Sequence, residues 1–569
     1  MKPMKLFTTL ALILILSESV FSQNSVSSQI DSLAGQWLKP DAPGGVIAVI
    51  LDGKVAHKKA YGMMNLENKL PDQINTVFNI GSLSKQFTAA SLVLLEEQGK
   101  ISLEDDIRKY IPEFPDYGAS ITIRHLLNHT SGITDYDWLT VLTGSAAEGT
   151  LTENSIFDLI TRQRQLNFTP GDEYYYSNSG YFLAGLIVKR VSGMTLPQFV
   201  SKNIFKPLGM NHSFIFDNPD LNQKNLATGY IAKNKHEYTE EHSFAGNIVG
   251  DGGVCTTIDD MILWDSNFSA NKIGGSDFTK KMYRQGLLNN GETIDYALGL
   301  LIKKYRGLDI AEHGGFTGGF KAHYLRFPGQ NLSVIILSNL GNINANKLTR
   351  QIAELYLSDQ MEANEPKPVD QSNTAVKTDQ PEPEFDKKVY DDYAGRYDFG
   401  GGFIMTVTHK NGQLFGQATG QPAFEFFPES ENKFTLKVAD AQGIFLRDEN
   451  DRVSKLEWHQ GGREMTASKL EPQNLTEADK MIYTGKYFSD EIQMTYPVTM
   501  EDGELYLGLP KFPEFIKMEI PAKMIHIMND QFSIPYMMIE FKRDAENKIT
   551  GFILNNEIGK VTLEFTKTE

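Results

Sequence analysis

The sequence predicts an α/β (α+β) domain, an antiparallel sheet flanked by helices, followed by one or two small all-β barrel domains. Strand signals stand near both ends of residues 23–360, and helical signals fill the part between them. Residues 361–388 are rich in proline and charge and nearly free of large apolar side chains, which is typical of a solvated linker. Beyond this linker, short alternating strands and turns replace the helices.

Residues 1–22 predict a cleaved secretory signal. Lys2 and Lys5 make its start basic, residues 6–16 are mostly apolar, and Ser22 supplies a small residue before the expected cleavage point. The apolar run is too short and wrongly flanked for a stable transmembrane helix, although an uncleaved anchor is the alternative. We therefore expect a periplasmic or secreted protein with no stable membrane insertion after signal cleavage.

Residues 23–360 are expected to fold as one domain. Two strand-like runs around Asp52-Gly53 predict a β-hairpin, and a closing helix follows three further strands. The predicted strands cover residues 45–51, 54–62, 309–313, 320–327 and 332–338. The predicted helices cover residues 27–38, 88–98, 101–111, 122–128, 181–191, 258–268 and 345–357. Strands from both ends of the domain would then share one sheet.

Composition narrows the function classes. The net charge of −17 disfavours nucleic acid as the main partner. Cys255 is the only cysteine, so no intrachain disulfide can form. His125 and His129 lack a set of metal-ligand partners nearby, and we interpret both as structural. Asp251 precedes two glycines but no Lys-Ser or Lys-Thr, so it does not indicate a phosphate loop. We expect neither a metal nor a cofactor.

Ser82 and Lys85 form the first candidate catalytic pair. Ser82 is expected at or near the start of a buried helix that ends at Gly99, and Lys85 lies three residues on, so both side chains share one face. A hydroxyl beside an amine is a nucleophile beside a base. Taken alone, the pattern fits an N-cap serine and a surface lysine better, and it recurs at Ser430 and Lys433 in a predicted turn.

Two further motifs follow in order, Tyr176-Ser177-Asn178 and His313-Gly314-Gly315. Together with Ser82-x-x-Lys85, they resemble the three-motif site of the serine β-lactamase and penicillin-binding-protein superfamily. The Tyr-x-Asn form is closest to the branch of class C β-lactamases, D-aminopeptidases and D-Ala-D-Ala carboxypeptidases. Residues 122–132, 170–171, 204–210 and 313–319 also resemble that branch, and the similarity covers about residues 27–357.

The resemblance implies that Ser82 forms an acyl-enzyme and that Lys85 and Tyr176 form its proton network. Either the Lys85 amine or the Tyr176 phenolate would act as the general base. Asn178 would orient the lysine and bind a substrate amide.

The third motif would bind the substrate at a strand edge. The resemblance implies that the backbone N–H groups of Ser82 and Phe316 form the oxyanion hole. Gly314 and Gly315 would let substrate backbone approach the strand.

His313 is the departure from the superfamily pattern. Most β-lactamases of the superfamily carry a lysine there, whereas an unperturbed histidine is largely neutral above pH ~6.5. The resemblance therefore implies an exported serine hydrolase whose small-molecule or short peptide substrate is a D-amino-acid peptide or amide. A carboxylesterase and a weak β-lactamase are alternatives with the same site. A penicillin-binding or sensor protein without turnover is the alternative of another class.

The region after the linker contains a faint repeat. Residues 393–397 return as 483–487, and a period of about 90 residues predicts two β modules at 389–470 and 481–569. A single larger barrel is the alternative. The modules resemble the lipocalin-like barrels of some D-aminopeptidases and archaeal relatives. Such barrels can cover a cleft or mediate self-association, so the resemblance also allows a homo-oligomer.

Overall fold

The computed structural model describes thirteen segments of the chain. They are residues 26–148, 151–217, 225–234, 236–241, 248–363, 389–399, 403–418, 423–436, 441–460, 463–471, 475–513, 518–556 and 559–569. The predicted signal 1–22 and nearly all of the predicted linker 361–388 lie outside them. The described residues form two compact units, one within residues 26–137 and 148–363, the other within residues 138–147 and 389–569. No helix in the described segments has the length and apolarity needed to span a bilayer.

A six-stranded antiparallel sheet joins the two ends of the first unit. Its strands are β1 (Gly45–Leu51), β2 (Lys54–Tyr61), β3 (Leu301–Tyr305), β4 (Leu308–Thr317), β5 (Phe320–Phe327) and β6 (Leu332–Ser338), in the order β3-β4-β5-β6-β1-β2. Strand β1 pairs with β6 from Gly45, opposite Ser338, to Leu51, opposite Leu332. The predicted sharing of one sheet by both ends of the domain is therefore confirmed.

Both faces of β1 are buried, which explains its continuous run of apolar residues. Val46 and Ala48 belong to the core on the side of the Ser82 helix, whereas Ile47 and Val49 belong to the core under the closing helix. Because successive side chains of a strand point to opposite faces, one strand supplies both cores. The same residues therefore hold two helical layers on one sheet.

Helices and short strands fill the sequence between β2 and β3. The helices before the linker are α1 (Lys85–Glu97), α2 (Ile123–Leu127), α3 (Tyr136–Thr143), α4 (Ser145–Glu148), α5 (Glu153–Thr161), α6 (Asn178–Ser192), α7 (Leu196–Val200), α8 (Lys206–Leu208), α9 (Ile258–Ala270), α10 (Phe278–Met282) and α11 (Ala345–Leu357), and residues 26–34 are also helical. The short strands are Met63–Asn65, Leu70–Pro71, Phe78–Asn79, Phe214–Ile215, Tyr230–Ala232, Tyr238–Glu240 and Val254–Thr256.

Two elements differ from the sequence prediction. The helix expected at 101–111 is a single 3-10 turn, Ile107–Lys109. Its backbone groups bond to other segments, because the Ile107 N–H donates to the Ile121 carbonyl. Strand β4 continues past His313 to Thr317, since the glycines of the third motif stay paired with β5 instead of ending the strand.

The second unit contains a closed eight-stranded barrel and a nine-stranded antiparallel sheet, as the predicted fold class requires. The barrel strands are β7 (Gly395–Asp398), β8 (Ile404–Lys410), β9 (Gln413–Ala418), β10 (Phe424–Pro428), β11 (Lys433–Leu436), β12 (Ala441–Arg447), β13 (Val453–Gln460) and β14 (Arg463–Leu470). The sheet strands are β15 (Gly485–Ser489), β16 (Met494–Glu501), β17 (Glu504–Leu507), β18 (Ala522–Lys523), β19 (Ile525–Met528), β20 (Gln531–Ile534), β21 (Met537–Arg543), β22 (Ile549–Asn556) and β23 (Val561–Lys567). Helices α12 (Tyr390–Tyr393) and α13 (Glu477–Met481) precede the two sheets.

The sequence repeat has a structural basis. In the barrel, the buried Tyr397 hydroxyl donates to the Tyr393 carbonyl over 2.8 Å. In the nine-stranded sheet, the buried Tyr487 hydroxyl donates to the Tyr483 carbonyl over 2.6 Å. A buried hydroxyl needs such a partner, because an unpaired one is costly. Each repeat therefore places a tyrosine in a core, and the hydroxyl of that tyrosine donates a hydrogen bond to the carbonyl four residues earlier in the chain.

Asp72 is a buried acid in the first unit. Its side chain is 8% exposed, and neither carboxyl oxygen has a hydrogen-bond partner in the described part of the chain. Burial outweighs the lowering effect of the nearby Thr76 and raises the pKa of Asp72 to about 8. The folded protein therefore favours the neutral carboxyl at physiological pH.

We expect the Asp72→Asn substitution to stabilise the protein at pH 8.5. At pH 4 the gain in stability over the wild type should be much smaller. An acid with a raised pKa contributes stability below its unfolded pKa that is lost as pH rises toward the folded pKa of about 8. The gain in unfolding free energy should be about 5 kcal/mol larger at pH 8.5 than at pH 4, measured by denaturant unfolding at both pH values. The exposed Asp41→Asn is the control. An equal gain at both pH values would show that the carboxyl charge is not the cause.

Candidate active site

Ser82 lies in a 3-10 turn, Gly81–Ser84, that leads directly into α1. The turn is held by the short strand Val254–Thr256, because the Ile80 N–H donates to the Val254 carbonyl over 3.0 Å. The Val254 N–H in turn donates to the Ser84 hydroxyl over 3.0 Å. Ser82 is partly exposed, whereas the rest of the turn is buried. Its side chain is therefore the one group of the turn that solvent reaches.

Lys85, the first residue of α1, is fully buried. Its amine nitrogen lies 3.2 Å from the Ser82 hydroxyl, 2.7 Å from Asn178 Oδ1 and 2.8 Å from the Asp251 carbonyl oxygen. These three oxygens match the three donors of an ammonium group. The structure thus brings Ser82, Lys85 and Asn178 together, with the lysine in the middle.

Tyr176 lies over the lysine. The Lys85 nitrogen is 4.9 Å from the centroid of the Tyr176 ring. The centroid of the His313 ring lies 6.4 Å from that of the Tyr176 ring. Asn178 starts α6 two residues later, so the motif spans the turn that enters this helix. Residues from all three motifs therefore meet around one buried amine.

Strand β4 runs directly against the Ser82 turn. A Cβ atom on Gly315 would lie 1.8 Å from the Ile80 carbonyl oxygen, so only glycine fits at this position. One residue on, the Phe316 backbone nitrogen lies 2.6 Å from the place a Gly81 Cβ would occupy. The side chain of Phe316 is 54% exposed. The third motif thus brings a backbone N–H and an apolar ring beside Ser82.

His313 is buried and neutral. Its Nδ1 lies 2.6 Å from the Gly314 carbonyl oxygen, which can only accept, so Nδ1 carries the proton. The Tyr296 hydroxyl then donates to Nε2 over 2.9 Å. Burial and the nearby charge of Lys85 outweigh the raising effect of the hydrogen bond to Gly314 and lower the pKa of His313 to about 4. The position that holds a lysine in most β-lactamases therefore carries no charge here.

An aspartate that sequence reasoning missed contacts the second motif. The Asp137 side chain accepts a hydrogen bond from Asn178 Nδ2 over 2.7 Å, and it reaches solvent. Its dense protein surroundings and the charges of Asp135 and Asp251 raise its pKa well above the usual value. Asn178 therefore bridges Asp137 and Lys85. No spacing in the sequence links Asp137 to Asn178, which is 41 positions away, so only the fold reveals the pair.

Two more carboxylates lie near the lysine. Burial raises the pKa of Asp135, the charge of Asp251 raises it further, and Lys85 opposes both effects. Asp251 accepts from the Tyr136 hydroxyl over 2.9 Å. The described residues contain no group of three or more His, Cys, Asp or Glu side chains placed to hold a metal ion. The carboxylates instead make the surroundings of Lys85 acidic.

The chain is similar to known proteins over most of its length. Residues 30–357 match the sequence profile of the family described as Beta-lactamase, and residues 379–480 match a domain of unknown function, DUF3471. A penicillin-binding protein from Bacillus subtilis is 28% identical over 435 residues, which cover 74% of this chain and 94% of that protein. A D-aminopeptidase from Brucella anthropi is 30% identical over 298 residues, which cover 52% of this chain and 56% of that protein.

The similarity extends to solved structures. The octameric penicillin-binding protein homologue from Pyrococcus abyssi matches with a TM-score of 0.53 and 22% identity, over 86% of this chain and 98% of that one. At this identity the match shows a shared fold. The D-aminopeptidase match covers little more than half of that enzyme, so the similarity by itself does not transfer its activity.

We expect the His313→Gln variant to lose less stability in acid than the wild type. A histidine whose folded pKa is lowered to about 4 contributes stability above its unfolded pKa that is lost as pH falls. Between pH 7.5 and 4.5, the loss of unfolding free energy should therefore shrink by about 2 kcal/mol in the variant. Denaturant unfolding at both pH values measures this change in unfolding free energy.

The exposed His212→Gln is the matched control and should lose as much as the wild type. If His313→Gln also loses as much as the wild type, His313 is not held neutral by the fold.

Proposed function

Since this chain belongs to the beta-lactamase family, a family of serine hydrolases, we propose that it hydrolyses its substrate through an acyl-enzyme formed on Ser82. The observation that carries the proposal is the buried Lys85 amine, bonded at once to the Ser82 hydroxyl and to Asn178. The hydroxyl attacks a carbonyl carbon, the leaving group departs, and water then cleaves the ester, so that one difficult step becomes two.

The proton of the Ser82 hydroxyl has two acceptors within the proposed site. A neutral Lys85 amine receives it directly over the 3.2 Å contact. Alternatively, a Tyr176 phenolate receives the proton. A charged Lys85 would stabilise this phenolate, because the lysine nitrogen lies 4.9 Å from the centroid of the Tyr176 ring. In both cases the pair works as one proton network and returns the proton to the leaving group.

The oxyanion is proposed to lie between the backbone N–H groups of Ser82 and Phe316. The close approach of β4 to the Ser82 turn, where Gly315 leaves no room for a Cβ atom, supports this placement. Each donor of such a pair stabilises the transition state by about 3 kcal/mol. Gly314 is partly exposed and leaves the same strand accessible to substrate backbone, whereas Gly315 is buried against the Ser82 turn.

A D-amino-acid peptide or amide with a free α-ammonium group is the substrate we propose. Neutral His313 provides no cation for a carboxylate, which disfavours anionic β-lactams. Asp137 beside Asn178 reaches solvent and provides a partner for an ammonium group, whose positive charge would lower the raised pKa of this acid. The similarity to a D-aminopeptidase agrees with this choice. A carboxylesterase is the second candidate, favoured by the exposed ring of Phe316.

Export is part of the proposal. The basic start and apolar run of residues 1–22 support a secretory signal, and a periplasmic or secreted location would place the enzyme beside D-amino-acid peptides. The octameric state of the Pyrococcus abyssi structure belongs to that protein. A homo-oligomer therefore stays an expectation for this chain.

Labelling with a fluorophosphonate probe tests the nucleophile. We expect the folded chain of residues 23–569 to gain one probe adduct, detected by intact-mass spectrometry. The Ser82→Ala variant should gain none. Ser430→Ala is the matched control, because Ser430 and Lys433 repeat the same sequence spacing. It should label as fast as the wild type. A folded wild-type chain that takes no label would refute the acyl-enzyme proposal.

A pair of substrates tests the role of Asp137. We expect Asp137→Asn to lower kcat/KM for a D-aminoacyl amide by about tenfold, because a charge-assisted hydrogen bond to the ammonium is lost. The N-acetylated amide, which has no ammonium group, should be hydrolysed by both enzymes at similar rates. An equal loss on both substrates would mean that Asp137 acts only by orienting Asn178.

A further inference from the structure

His129 stands in an unusual environment next to the proposed site. It follows α2 with a φ of +59°, a conformation that side-chain-bearing residues rarely adopt. Its ring is buried, and its Nε2 has no hydrogen-bond partner in the described part of the chain. Backbone strain and an unpaired buried nitrogen both cost stability, and such features concentrate at functional sites. The sequence offers only the interpretation of a structural histidine.

The residue holds the second motif from both sides of Tyr176. The Ser177 N–H donates to His129 Nδ1 over 3.0 Å. The Tyr175 N–H donates to the His129 carbonyl oxygen over 2.9 Å. The two residues that flank Tyr176 are thus fixed by one amino acid, once through its ring and once through its backbone. The path of the chain at Tyr176 depends on where His129 stands.

The hydrogen bond to Ser177 requires the neutral ring with its proton on Nε2. Nδ1 can accept only when it carries no proton, and the second nitrogen then carries it. Burial lowers the pKa of His129 well below its usual value, and the charge of Lys85 lowers it further. The fold therefore maintains the tautomer that holds the motif, and it leaves the Nε2–H group without an acceptor.

The ring also packs against the tyrosines of the site. Its centroid lies 4.2 Å from that of Tyr176 at an angle of 32°, and 4.5 Å from that of Tyr296 at 67°. Tyr296 donates to His313, the first residue of the third motif. The imidazole therefore lies between Tyr176 and the tyrosine that orients His313.

We propose that His129 is a positioning residue of this enzyme, which fixes the Tyr176 ring over the Lys85 amine by holding the Ser177 N–H and packing against the ring. The inference rests on the proposed function, because it assigns His129 a role only through Tyr176. His129 thus supports the proton network and takes no part in bond making.

Two amide variants separate the acceptor from the bulk of the side chain. In His129→Asn, Oδ1 occupies the place of Nδ1, and asparagine tolerates a positive φ. In His129→Gln, the acceptor lies one bond farther out and no longer faces the Ser177 N–H. We expect Gln to lower the rate constant of fluorophosphonate labelling at least 30-fold, and Asn to stay within about fivefold of the wild type.

The same variants are compared in a Tyr176→Phe background. If His129 acts through Tyr176, His129→Gln should lower the labelling rate there by no more than about threefold, because the Tyr176 hydroxyl, which the positioned ring carries, is already gone. Thermal unfolding monitors the fold of every variant. A core residue with no positioning role would shift the unfolding temperature and leave the labelling rate of the folded protein unchanged.

The outcomes separate the two proposals. A wild-type chain that takes no label overturns the proposed function. A wild-type chain that labels, with His129→Gln labelling as fast, overturns the role of His129 alone. If His129→Gln does not fold, His129→Asn decides, because a folded Asn variant slower by 30-fold or more also overturns it. Additive losses in the Tyr176→Phe background do the same.

Discussion

A fully buried lysine is the constraint on which the first unit depends. Its amine needs polar partners, because an unpaired charge inside a protein is far costlier than any single contact. Lys85 finds them in three separate segments: its own turn at Ser82, the start of α6 at Asn178, and the backbone of Asp251. These segments cannot drift apart without leaving a donor unsatisfied. The requirement that holds the core together therefore also assembles the site.

The sheet supplies the fourth side of the site. Pairing of β1 with β6 brings the two ends of the unit together, and β4 then runs beside the turn that carries Ser82. The contact is between backbones, since a Cβ on Gly315 would collide with the Ile80 carbonyl. A long-range strand pairing thus determines how close the third motif comes to the first. Packing of this kind tolerates little movement, because no side chain is available to adjust.

Local spacing and family resemblance account for what the sequence could predict. Ser82 and Lys85 lie within one turn, so their contact follows from helical geometry. The alternation of short strands and turns after the linker predicts the β modules. Tyr296 and Asp137 were missed, because their partners lie across the fold and no periodicity marks them. His129 was assigned a structural role, because its φ and its bond to Ser177 exist only in the folded chain. The helix predicted at 101–111 failed because tertiary hydrogen bonds replaced the local ones.

The replacement of a lysine by His313 changes the charge of the whole site. A second lysine beside Lys85 would repel it, and the nearby carboxylates would then balance two cations. With His313 buried, hydrogen-bonded to Tyr296 and neutral, no charge at this position adds to that of Lys85. Three acids beside one lysine favour a cationic group over an anionic one at this site. A substrate that brings its own ammonium would restore the balance that the missing lysine leaves open.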